Sequence, residues 1–116
     1  MARPVRKKPK ESGIVRGSGN VFADLGFADA EERQTKLRLA YELNELLAER
    51  DLTQQQAGRL LRLSQPKVSA LGHYKLEGFS VERLMTLLTA LDRDIDIVIR
   101  KKPKSRPAGK ITVVPA

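Results

Sequence analysis

The stretch Thr53–Leu71, TQQQAGRLLRLSQPKVSAL, leaves the chain little choice of local structure. Each of its two short helical patterns opens on a hydroxyl residue, which can accept from backbone N–H groups left free at a helix start. Thr53 opens the first, and Gln56 three residues later completes a capping box. Ser64 opens the second, with Pro66 in the first turn, where a missing N–H costs little. Ala57, Leu60 and Leu61 are spaced to bury one face of the first helix, and Val68 and Leu71 one face of the second. Between them, Arg62 and Leu63 leave room only for a tight turn. Gly58 lets the two helices approach closely.

Two short helices, a tight turn and a small residue at the crossing describe a helix-turn-helix. The second helix is expected to leave Gln65, Lys67, Ser69 and Ala70 facing outward. These groups match what a DNA major groove offers: lysine donates to guanine O6/N7, glutamine pairs with adenine, and serine donates or accepts. From Thr53 to Lys75 there is no acidic residue, whereas Arg59, Arg62, Lys67 and Lys75 are present. That local sign suits phosphate.

The pattern T-Q-x-x-A-G-x-x-L-x-L-S-Q-P-K-V-S resembles the helix-turn-helix of the Xre family, which includes Cro and the phage repressors. The flanks SGNVFADLGFADAEERQTKLRLAYELNELLAERDLT and FSVERLMTLLTALDRDIDIVIR extend the resemblance to the HigA-like antitoxin branch, from about Ser18 to Lys101. This implies a lambda-repressor-like bundle of four to five helices followed by a short C-terminal strand. An isolated strand needs a partner, which is either the same strand of a second copy, the favoured pairing, or Ile111–Val114 folded back through the Lys101–Lys110 linker. The chain departs from the family at two places. Arg62 stands at the turn position that is usually glycine, and Gly72-His73-Tyr74-Lys75 replaces a common Gly-Lys after the recognition helix.

The formal net charge of +8 is unevenly spread. Residues 1–19 carry +5 and residues 100–116 carry +6, while 20–99 sum to −3. The expected organisation is a basic tail at 1–19, a DNA-binding domain with its dimerisation strand at 20–101, and a basic, proline-containing tail at 102–116. Such tails either keep the protein soluble or add phosphate attraction. There is no cysteine, so no disulfide framework or thiolate site is available. No apolar run approaches the roughly 18–20 residues needed to span a bilayer, and the basic start lacks the apolar stretch of a signal peptide. A cytoplasmic protein without membrane contact is expected.

Residues 20–28 hold Val21, Phe22, Leu25 and Phe27, a segment suited to irregular packing on the helices that follow or to docking a partner. Asp29 and Glu32 read as a further capping box. The helix they open runs to about Arg50, with Leu39, Ala40, Leu43, Leu46 and Leu47 on one face. Glu42, Glu45 and Glu49 lie on its other face, either as a solvated surface or as an acidic one for a basic toxin. Gly72–Phe79 reads as a loop in which His73, Tyr74 and Lys75 lie near the DNA backbone. Ser80 caps a last helix, with Val81, Leu84, Met85, Leu88 and Leu91 inward. The period then switches to two, which places Ile95, Ile97 and Ile99 on one side of a strand whose other side carries Asp94 and Asp96 as edge protection.

An enzyme is not expected. There is no nucleotide-binding glycine loop, no nucleophile beside a base and no ligand cluster, and His73 is the sole histidine. Gly17–Asn20, GSGN, is too short for a phosphate loop. No cofactor or metal is expected. The expected partner is double-stranded DNA carrying a palindromic operator, bound by a homodimer. Base and backbone contacts are assigned to Gln54, Ser64, Gln65, Lys67, Ser69, Ala70, His73 and Lys75, and dimerisation to Ile95, Ile97 and Ile99. The resemblance adds a small ribonuclease-type toxin as partner and repression of the protein's own operon. A stand-alone repressor, or an interaction module that has lost DNA binding, are the alternatives.

Overall fold

The computed structural model describes residues 29–116, and among these it forms four helices and no strand. They are α1 (Asp29–Arg50), α2 (Gln54–Leu61), α3 (Gln65–Gly72) and α4 (Val81–Ala90). The chain divides into two units after Arg33, and the features that follow belong to Gln34–Ala116. The tail 1–19 and the Val21–Phe27 segment lie outside the described residues.

Local chemistry sets the starts of α2, α3 and α4. The Thr53 hydroxyl accepts from the Gln56 N–H at 3.1 Å, and Gln56 Oε1 accepts from the Thr53 N–H at 2.9 Å, which closes the expected capping box. Ser64 and Ser80 accept from the N–H groups of Lys67 and Arg83. Leu63 and Phe79 precede these serines, at the positions from which a hydrophobic staple reaches Val68 and Leu84.

The ends follow another rule. Asp51 and Arg62, one residue past their helices, and Tyr74 and Asp92, two past theirs, all adopt positive φ, between 54° and 67°. Glycine usually fills this left-handed site, because a Cβ there costs roughly 1–2 kcal/mol. Behind α3 the wrap is a full Schellman motif: the Lys75 N–H reaches Ala70 O at 2.9 Å and the Tyr74 N–H reaches Leu71 O at 3.2 Å. Arg62 (φ 58°, ψ 47°) thus takes the conformation that the helix-turn-helix turn demands.

Gly58 does what its position implied. A Cβ placed there would lie 2.9 Å from Leu63 O and 3.5 Å from Val68 Cγ2, so α2 and α3 could not pack as they do. Ala57, Gly58 and Leu61 are buried on α2, and Val68 and Leu71 on α3. Leu60, expected inward, is 39% exposed. Ala57 and Leu61, one turn apart, already fill the buried arc of so short a helix, and Leu60 falls at its edge.

The core joins Leu39, Ala40, Leu43 and Leu46 of α1 to Leu61, Leu71, Leu84, Leu87, Leu88 and Leu91. Leu76 and Phe79 belong to it too, although they stand in the connection between α3 and α4. Two side chains of α1 reach the ends of other helices. Asn44 Nδ2 donates to Leu71 O at 3.1 Å, and Arg50 Nη2 donates to Leu91 O at 3.3 Å and to Asp92 at 3.1 Å. The Arg50–Asp92 pair is open to solvent, so it adds little.

After Asp92 the chain carries no regular secondary structure, and the expected strand is not formed within the single chain. Ile95 and Val113 pack in part against the core, whereas Ile97 and Ile99 are 76% and 92% exposed. A lone extended segment has no ladder partner for its N–H and C=O groups. Downstream, the Arg106 N–H closes a turn on Pro103 O, and Lys102 Nζ donates to Arg106 O.

Candidate nucleic-acid interface

The first turns of α2 and α3 contain no acidic residue, so the positive ends of both helix dipoles remain unopposed by carboxylates. Gln54 is the exposed first residue of α2. Ser64, Gln65 and Lys67 are exposed at the cap and first turn of α3. Leu71, fully buried, and the Asn44 bond to its carbonyl hold the far end of the same helix. The polar start of α3 is therefore presented outward from an anchored base.

The remaining assigned residues are placed unequally. Ser69 is half-buried, and its carbonyl accepts from the His73 N–H at 3.1 Å and from His73 Nδ1 at 2.8 Å. His73 is thus exposed but serves as the C-terminal cap of α3. Ala70, expected outward, is half-buried and packs in part against the core. Lys75, whose N–H closes the Schellman wrap, is exposed.

A shallow groove of about 360 Å³ runs beside the start of α3. Ser64, Pro66, Lys67 and Ala70 line one side, and Lys75, Glu77, Gly78 and Phe79 the other. Lys67 crosses it. Its Nζ donates to Gly78 O at 2.8 Å and lies 4.9 Å from the centre of the Phe79 ring. Sequence reasoning placed Lys67 on the surface but missed the loop that receives it. Phe79 before the Ser80 cap was the available signal, since a residue at that position turns inward as a staple.

Two capped helices joined by a tight left-handed turn, with the second anchored at its far end and polar at its near end, define a helix-turn-helix domain. Among the described residues no helix is long and apolar enough to cross a membrane. A family model described as a helix-turn-helix domain matches residues 21–100. A solved structure described as an XRE-family transcriptional regulator is 66% identical; the match covers 77% of this chain and 100% of that one, with a TM-score of 0.73. No curated protein matches the chain. The chain belongs to the XRE-type helix-turn-helix family of DNA-binding transcriptional regulators. This is a family of regulators and not of enzymes.

Proposed function

We propose that the protein is a HigA-like antitoxin which, as a homodimer, represses its own operon and neutralises a small ribonuclease-type toxin. The start of α3 supports the DNA part most directly: Gln65 and Lys67 are exposed in a first turn that carries no acid. On this reading Gln65, Lys67 and Ser69 contact base edges, Gln54, His73 and Lys75 contact phosphate, and Ser64 and Ala70 flank them. Bound across a palindrome, the protein blocks polymerase by occupying the operator.

The dimer rests on Ile97 and Ile99, two large apolar side chains left in solvent by a segment whose backbone has no ladder partner. The same segment of a second copy, paired antiparallel about a twofold axis, would satisfy both deficits and complete the strand around Ile95, Ile97 and Ile99. It would also set two copies of α3 about one DNA turn apart, roughly 34 Å. The basic tails at 1–19 and 102–116 flank the domain 20–101 and add phosphate attraction that falls with salt.

The toxin part is supported by the α1 surface, where Glu45 and Glu49 are exposed and Glu42 half-exposed. A ribonuclease that grips RNA needs a basic face, and an acidic helix can cover it. Co-expression tests this. The product of the adjoining gene should arrest growth alone and lose that effect beside this protein. A neighbour with no such effect leaves a stand-alone repressor.

A further inference from the structure

Lys67 is the residue of α3 with most to gain from being held in place. Its ammonium sits on a flexible four-carbon stem, and ordering that stem on contact with DNA would cost rotamer freedom. In the structure the stem is already ordered by two groups of the α3–α4 connection. Gly78 O accepts from Nζ at 2.8 Å, and the Phe79 ring, itself buried, lies beneath the cation at 4.9 Å. One of the three ammonium donors is used, so two remain for a ligand in the groove.

Gly78 makes this arrangement possible. A Cβ built on it would lie 2.6 Å from Lys67 Nζ and 3.8 Å from Lys67 Cε, and would meet no other atom within 4 Å. Its backbone φ lies outside the left-handed region, so the absent side chain answers to space and not to torsion. The space it leaves is the seat of the Lys67 ammonium.

We propose that Gly78 and Phe79 are positioning residues for Lys67: the loop carbonyl and the ring face fix the ammonium beside the groove, so that its two free donors meet one base position. The inference rests on the reading of α3 as the base-contacting helix. Fixing the ammonium before binding favours the one duplex whose acceptors coincide with it. A lysine free to wander gains as much from any nearby phosphate as from a base.

Gly78→Ala displaces the lysine and touches nothing else, so the fold is retained. The probes are a duplex selected from a randomised pool by the wild-type protein and a scrambled duplex of the same composition. Gly78→Ala is expected to weaken binding to the selected duplex by about two- to tenfold, the cost of ordering one long side chain, with no loss on the scrambled one. In a Lys67→Ala background the same substitution should change neither. Without DNA, the Lys67 methylene protons should resonate upfield under the Phe79 ring in the wild type and return toward ordinary values in Gly78→Ala. Tighter or unchanged binding of Gly78→Ala to the selected duplex overturns the proposal, as does an equal loss in the Lys67→Ala background. If wild-type protein holds both duplexes equally, the base-reading role of α3 fails, and the proton shifts then report only a loop contact.

Discussion

Asn44 Nδ2 donates to the carbonyl of Leu71 at 3.1 Å, joining the middle of α1 to the last turn of α3 across 27 residues. That carbonyl sits among the last of its helix, where intrahelical donors run out. The Tyr74 N–H supplies one partner and Asn44 the other. The angle at which α3 leaves the core thus depends on an amide in a different helix.

Asn44→Ala should destabilise the fold by about 1–2 kcal/mol, through a lost bond and a partly buried carbonyl left short of a partner. Asn44→Asp should do worse, because a carboxylate has no proton to give and would face the carbonyl oxygen. Thermal unfolding followed by circular dichroism checks both. Equal melting temperatures for wild type and Asn44→Ala would show that the bond does not hold α3.

Gly58→Ala sets a methyl 2.9 Å from a backbone oxygen in the turn itself, which no side-chain rotation relieves. A loss of about 1–3 kcal/mol is expected, as for other overpacked sites. A crystal structure or amide spectrum of the variant should show α3 displaced relative to α2. An unperturbed turn at wild-type stability would contradict the close approach.

Arg62 holds a left-handed conformation at φ 58° where glycine would be unstrained. Arg62→Gly is expected to stabilise the protein by roughly 0.5–1 kcal/mol, the relief of Cβ strain less the entropy glycine loses on folding. Denaturant midpoints measure it. A destabilised variant would mean that the arginine side chain contributes more than its backbone costs.

Ile97→Asp charges the middle of the exposed apolar segment and should convert a dimer to a monomer, abolishing tight binding to a palindrome. Truncation after Pro103 should leave the dimer intact. Light scattering on the two proteins separates the possibilities. Monomers on truncation with a dimeric Ile97→Asp would place the pairing within one chain, against Ile111–Val114, a course made plausible by the packing of Val113 on the core.

The starts of the helices were legible because capping is a matter of three or four consecutive residues: Thr53, Ser64 and Ser80 each announce their own helix. Gly58 was legible for the same reason, as the one small residue at a crossing. The ends were legible in place but not in conformation: α1 stops at Arg50 and α2 before the Arg62 turn as the sequence implied, whereas no glycine announces the left-handed φ of Asp51, Arg62, Tyr74 and Asp92. Leu60 was misplaced because an eight-residue helix is too short for periodicity to separate the centre of a buried arc from its edge. Leu76 and Phe79 carried no period at all, and of the two only Phe79 stands at the staple position before α4. The site divided in the same way. Exposure of Gln65 and Lys67 follows from helical spacing, but the Gly78 carbonyl that receives Lys67 lies 11 residues away in a loop.

The central claim is that the first turn of α3 reads bases, and titration of a selected duplex against a scrambled one tests it most directly. Gln65→Ala and Lys67→Ala should each weaken binding to the selected duplex by about 1–3 kcal/mol while the circular dichroism spectrum stays that of the wild type. Gln54→Ala should weaken both duplexes alike, as a phosphate contact does. Wild-type affinity for the selected duplex in both Gln65→Ala and Lys67→Ala would contradict the account.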